Sequence, residues 1–359
     1  MNSRLIVLVS AALVVGACSG EPKKAGDTGR AATSGGSADL TGAGATFPLP
    51  IYSKWFADYA TRSGVKINYQ SIGSGGGIRQ LSEQTVDFGA TDSPMSDQEM
   101  SKAKGGAILH IPTVLGADAV IYNLPGVSAP LKLTGELIAD IFLGKITRWN
   151  DSRIASVNAG VALPAQDILV VHRSDGSGTT FIFTDYLTKV SKAWAAGPGR
   201  GKDVKWPVGL GGKGNEGVSG QVKQTPGAIG YAELVYAVQN RLAFAHVRNA
   251  AGEFIAPSAE ASTAAAAGVV ASLAPDTDYR ISIVNSPGKG AYPISSFTWI
   301  ILYQNQPDQE KGKKIVDFLR WALKEGGAQA SALDYAPLPP AMVPALETRL
   351  NSITFGATP

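Results

Sequence analysis

From Asp39 to the end of the chain, short apolar runs alternate with segments of helical period, and this alternation narrows the available folds more than any other feature. Strands are expected at 65–70, 88–91, 119–122, 168–172, 281–284 and 297–303. A helix is expected at 50–62, where Ile51, Trp55, Tyr59 and Arg62 share a face and Pro48 and Pro50 mark its start. The capping box Ser96-Asp97-Gln98-Glu99 opens another. The segment 134–142 is helical, with Gly144 suited to the stop. Residues 309–324 place Ile315, Phe318, Leu319 and Ala322 on one face before Gly326-Gly327, and the alanine-rich run 261–267 reads as plain helix. The pattern implies an α/β protein with mostly parallel sheets and helices on both faces. Ligands of such folds bind at the carboxyl ends of the strands.

The N-terminus has a different character. Arg4, the apolar run 5–15 and the small residues Gly16 and Ala17 read as a signal peptide over 1–17, too short to span a membrane comfortably. Cys18 is the single cysteine, so no disulfide can form within the chain. Val15-Gly16-Ala17-Cys18 resembles the cleavage box of bacterial lipoproteins, which makes Cys18 the lipidation site. Residues 18–38 are small and polar, bury too little to fold, and read as a tether. The formal net charge is only +3, without a basic run, so nucleic acid is not an expected partner.

Four segments combine glycine with small polar or charged residues: 42–47, 73–77, 175–180 and 209–214. The first three lead into helical patterns. A helix start offers unpaired N–H groups and the positive end of the dipole, glycine lets backbone approach a ligand, and hydroxyls add neutral donors. Any one of these loops is more simply a helix cap; it is their recurrence that points to an anion site. Arg173 closes the strand expected at 168–172 and can either clamp an oxyanion or pair with Asp175 at the surface. Asp92, before Ser93-Pro94, reads alone as a turn or cap residue. The Walker pattern, the dinucleotide GxGxxG and the Gly-x-Ser-x-Gly elbow are all absent. His110, His172 and His246 are scattered, so no metal site is expected.

On these loops the chain resembles the phosphate-binding component of bacterial ABC phosphate importers. The matching segments are TGAGATFPLPIYSKW (41–55), NYQSIGSGGGIRQ (68–80), TVDFGATDSPMSD (85–97), DIFLGKITRWND (140–151), RSDGSGTTFIFTDYL (173–187), KWPVGLGGKGNEGV (205–218), PGAIGYAE (226–233) and ALDYAPLP (332–339). The resemblance implies a type II-like periplasmic-binding-protein fold: two α/β lobes joined by crossing strands near Leu115 and Asn285. One lobe would hold 39–115 plus 286–359, the other 116–285. It further implies that Thr46, Phe47, Ser74, Asp92, Arg173, Ser177, Gly178 and Thr179 contact phosphate, and that Asp175 supports Arg173. Two positions depart from the family pattern: Gly75 stands where a second serine is frequent, and His172 where a basic residue can stand.

The implied activity is high-affinity capture of inorganic phosphate in the cell envelope by a lipid-anchored monomer that needs no cofactor. The importer's membrane permease subunits would be its partner. Asp92 would accept the P–OH proton that sulfate lacks. Three other readings compete: a carrier of another tetrahedral oxyanion such as sulfate or molybdate, a secreted phosphatase, and a surface adhesin or signalling module that keeps the fold without the ligand. Asp92 argues against the first. The second needs a metal cluster or an activated nucleophile, and neither pattern is present.

Overall fold

The computed structural model describes residues 39–274 and 277–356. The expected signal peptide (1–17), the lipidation site Cys18 and the tether (18–38) lie outside the described residues. Among the described residues no helix is long and apolar enough to cross a membrane.

The body is built on a sheet of eight strands with two short strands added to its centre. The eight are β1 (Leu40–Gly44), β2 (Ile67–Ser71), β3 (Phe88–Thr91), β4 (Ile108–Tyr122), β5 (Leu169–Arg173), β6 (Leu210–Gly212), β7 (Ala228–Glu233) and β8 (Ser295–Tyr303). Their spatial order is β2-β1-β3-β8-β4-β7-β5-β6. Pairing is parallel at both flanks and antiparallel across the middle, where β8 meets β3 and β4, and β4 meets β7. The sheet is therefore mixed, not mostly parallel. β8 arrives late in the chain and runs against both its neighbours.

β4 is the backbone of the molecule. The expected strand 119–122 is only its end. Pro112 and Gly116 disguise the run in sequence, yet all fifteen residues are buried. Its first part pairs with β8 as far as Ala117↔Ser295, and its last part pairs with β7 from Asp118↔Glu233. One strand thus serves two half-sheets, each packed with its own helices. Around β1–β3, the helix Leu49–Ser63 buries Tyr52, Trp55, Phe56 and Tyr59. Their rings meet Tyr69, Phe88, Phe318 and Trp321. Around β5–β7, Phe183 stacks on Tyr231 at 4.3 Å, and Phe142 and Trp206 close the cluster.

The helices expected from sequence form. Thr134 caps Gly135–Phe142 by accepting from the Leu137 N–H, and Gly144 takes φ 71 just after it. The Ser96/Glu99 capping box is complete. Gln309–Trp321 widens into a looser turn, Ala322–Gly326. The strand expected at 281–284 does not form. Ile283 and Val284 are buried. However, the Val284 carbonyl accepts from Lys189 Nζ (3.0 Å) and its N–H donates to Ser282 Oγ (3.3 Å), so the backbone groups a ladder needs are taken by side chains.

Candidate functional site

The eight expected contact residues converge from both half-sheets. β1 delivers the first loop. Thr46 is buried, and its Oγ1 accepts from both the backbone N–H (3.1 Å) and Nδ2 (2.7 Å) of Asn215. Its carbonyl accepts from Tyr236 Oη at 2.6 Å. Phe47 follows with its ring fully buried and its carbonyl held by Tyr335 Oη at 2.6 Å. β2 leads through Gly73 into Ser74, the first residue of the helix Ser74–Ser82. β3 ends at Thr91, which places Asp92 directly at a strand's carboxyl end. The Asp92 N–H donates to Ser74 Oγ (3.1 Å), and its Oδ1 accepts from Thr298 Oγ1 (2.8 Å).

The other half-sheet supplies the cation. Arg173 ends β5 and is 3% exposed, so it is not a surface arginine. Its Nε and Nη2 donate to the two oxygens of Asp175 (2.8 and 2.6 Å), and Nη1 donates to Thr179 Oγ1 (3.2 Å). This two-pronged ion pair holds the guanidinium plane fixed. Ser177 is the N-cap of the helix Gly178–Val190. Its Oγ accepts from the Thr180 N–H, and its own N–H donates to the Lys202 carbonyl (2.8 Å).

Backbone approach between the halves is close. The Gly75 N–H donates to the Gly176 carbonyl at 2.9 Å. A Cβ on Gly178 would lie 2.4 Å from Ser74 Oγ and 2.6 Å from an Asp92 oxygen, so only glycine fits there. A Cβ on Gly73 would likewise strike an Asp175 oxygen at 2.4 Å, and Gly73 also takes φ 83.

The hydrogen-bond directions define the chemistry. Thr46, Ser177 and Thr179 each accept an N–H from the protein, which leaves their O–H hydrogens to donate, whereas the Ser74 hydroxyl accepts the Asp92 N–H and itself donates to Asp92 Oδ2 at 3.4 Å. The Asp92 side chain is the one among the expected contact residues that only accepts, from Ser74 (3.4 Å) and Thr298 (2.8 Å). Burial pushes its carboxyl up to about 7, against the Thr298 hydrogen bond, the Arg173 charge and the Ser74 hydrogen bond. Burial acts the same way on Asp175, but the hydrogen bonds and charge of Arg173 outweigh it and hold that carboxylate below its usual range. Among the described residues no group of three or more His, Cys, Asp or Glu side chains is placed to hold a metal ion.

Residues 29–325 match the model of the PBP superfamily domain. The chain is 47% identical over 312 residues to the phosphate-binding protein PstS of Xylella fastidiosa, covering 87% of this chain and 84% of that one. It is 46% identical to PstS of Pasteurella multocida over 86% and 89% of the two chains. The chain belongs to the PstS family. The fold of a phosphate-binding protein from Stenotrophomonas maltophilia superposes with TM-score 0.67 at 20% identity, over 88% of this chain and 94% of that one. The architecture is thus the α/β periplasmic-binding-protein fold expected from the loops.

Four residues of this PstS-family site were not singled out from sequence. Asn215 heads the helix Gly214–Gln224, binds Thr46 and Thr179 through Nδ2, and takes the Glu233 N–H on Oδ1 (2.9 Å). The fourth glycine loop therefore also feeds a helix start. Its place within 205–218 was the only signal available for Asn215. Thr298 reaches Asp92 from β8, far away in sequence. Asp118 and Glu233 face the same side of the sheet across the β4–β7 pairing. Neither Asp118 oxygen has a hydrogen-bond partner, and Glu233 Oε1 has none. Burial pushes the Asp118 carboxyl well above the ordinary carboxylate range, opposed by Arg173 and reinforced by Asp92.

Proposed function

We propose that the chain captures inorganic phosphate with high affinity in the cell envelope and delivers it to the membrane permease subunits of an ABC importer. The carrying observation is the balance of donors and acceptors: three hydroxyls, of Thr46, Ser177 and Thr179, and a fixed guanidinium are arranged to give hydrogen bonds, and one carboxylate, Asp92, to accept one. A tetrahedral oxyanion that keeps one proton matches that balance. The chemistry in this reading is binding without bond cleavage: the Ser74 hydroxyl reaches Asp92 only at 3.4 Å, and that carboxylate is also held by Thr298.

In this reading, residues 39–115 with 286–359 and residues 116–285 act as two lobes that close over the ion. Removal of 1–17 frees Cys18 for lipidation, residues 18–38 tether the body to the membrane, and the protein works as a monomer. Thr46, Phe47, Ser74, Asp92, Arg173, Ser177, Gly178 and Thr179 contact the ion. Asp175 keeps Arg173 in place. Closure strips water from the site and strengthens each hydrogen bond.

Asp92 acts as the selector. Phosphate near neutral pH retains a P–OH that an ionised carboxylate can accept. Sulfate has no such proton and would face the buried carboxylate uncompensated, at a cost of about 1–3 kcal/mol or more. Below about pH 7 Asp92 increasingly carries its own proton. It can then donate to sulfate, so discrimination sharpens as pH rises through that value. Titration calorimetry with both anions at pH 5.5 and 8, on the native chain and on Asp92→Asn, measures this. Sulfate should compete best at low pH, and Asp92→Asn should abolish the difference. Equal discrimination at both pH values in the native chain would remove Asp92 as selector. Incubation with a chromogenic phosphate ester separates the carrier from a phosphatase, and no turnover is expected.

A further inference from the structure

The ion pair between Lys202 and Glu99 lies outside the phosphate-contacting residues, yet it reaches both ends of the site. Lys202 Nζ stands 2.6 Å from Glu99 Oε1, with both side chains less than a third exposed. The Lys202 carbonyl accepts the N–H of Ser177, the residue that caps the helix Gly178–Val190. Glu99 in turn holds the other end. Its Oε2 accepts from the N–H (2.9 Å) and Oγ (3.0 Å) of Ser96, four residues after Asp92. A continuous path therefore runs from Ser177 through Lys202, Glu99 and Ser96 to the Asp92 turn.

The surroundings give this pair its weight. A cavity of about 480 Å³ separates the two walls here, lined by Ser93, Met95, Phe181, Arg200 and Ile281 among others. Polar groups bridge that gap. Arg280 adds a second clasp, donating from Nη1 to the Met95 carbonyl (3.0 Å) and to Asp97 (2.7 Å). Its Nε is already bound to Asp278, and Asp97 is largely exposed, so this clasp is the more hydrated of the two. Burial alone would raise the Glu99 carboxyl, but the hydrogen bonds from Lys202 and Ser96 bring it below its ordinary value.

We propose that Lys202 and Glu99 form a latch that positions Ser177 against Asp92 and sets how slowly phosphate leaves the closed site. The inference rests on the phosphate-carrier reading. Neither side chain touches the ion, so both are positioning residues. Breaking the latch leaves every contact to phosphate in place but makes opening easier, which raises the dissociation rate and leaves the association rate nearly unchanged.

The test is a chase of radiolabelled phosphate from the full chain and from Lys202→Met, Glu99→Gln, the double variant and Lys202→Arg. Each single neutral variant should release phosphate about three- to tenfold faster at low salt. The double variant should be no faster than the singles, Lys202→Arg should approach the native rate, and high salt should shrink the differences. Thermal melting of each variant checks that the fold is kept. Native-like release from Lys202→Met, or additive effects in the double variant, would overturn the latch. Failure of the native chain to bind phosphate would instead overturn the carrier reading itself.

Discussion

At Asp92 a carboxylate that reads in sequence as a turn residue becomes the one acceptor in a nest of donors, and burial changes its chemistry. Its value rises from an ordinary 3.8 to about 7 because water is removed from around it. A carboxyl with a raised folded value binds its proton more tightly in the fold than in the unfolded chain. Its contribution to stability is fully present below pH 3.8 and is lost as pH rises through about 7. Ligand-free native protein should therefore lose stability between pH 5 and 8, and Asp92→Asn should lose about 2–4 kcal/mol less over the same range. Urea unfolding at the two pH values measures this; the raised carboxyl of Glu233 is common to both proteins, and loss of the Asp92 charge eases the shift of Asp118, which acts in the same direction. Identical pH slopes would contradict the assignment. Arg173 shows the opposite economy, since its bidentate bond to Asp175 fixes the guanidinium before any ligand arrives.

Helix starts do most of the work at the scale of elements. Ser74 and Gly178 each open a helix, and the glycine loops before them touch at Gly75 and Gly176. Gly178→Ala places a methyl against Ser74 Oγ, so the loops cannot approach. Phosphate affinity should fall at least tenfold, with unfolding by urea little changed; undiminished affinity would show that the two loops need not meet. Much of this was legible because the loops are local. A strand, a glycine turn with a hydroxyl and a helical run follow one another within about fifteen residues, a span that short-range rules describe well. What was not legible depends on topology. The length of β4 was hidden by Pro112 and Gly116, and only its pairing with two different strands shows it to be continuous. Asn215 and Thr298 join the site through contacts 169 and 206 residues away in the chain, which no periodicity encodes. The apolar run at 281–284 puts Ile283 and Val284 in the core but forms no strand, because side chains take the Val284 backbone groups.

The whole molecule places the site where one strand changes partners. β4 leaves β8 after Ala117 and joins β7 at Asp118, and the donors arrive from strands on both sides of that switch. The unpartnered carboxyl of Asp118 sits at this waist. Buried without partners, it is a destabilising feature that the surrounding packing offsets. The central claim is that one ion is enclosed by groups from both half-sheets, with a single carboxylate receiving its proton. A crystal structure of the protein grown with phosphate tests that most directly. The expected density is one tetrahedral ion within hydrogen-bond distance of Thr46, Ser74, Asp92, Arg173, Ser177 and Thr179 together, with one oxygen facing Asp92. An ion bound to only one half-sheet, or bound away from Asp92, would contradict the account.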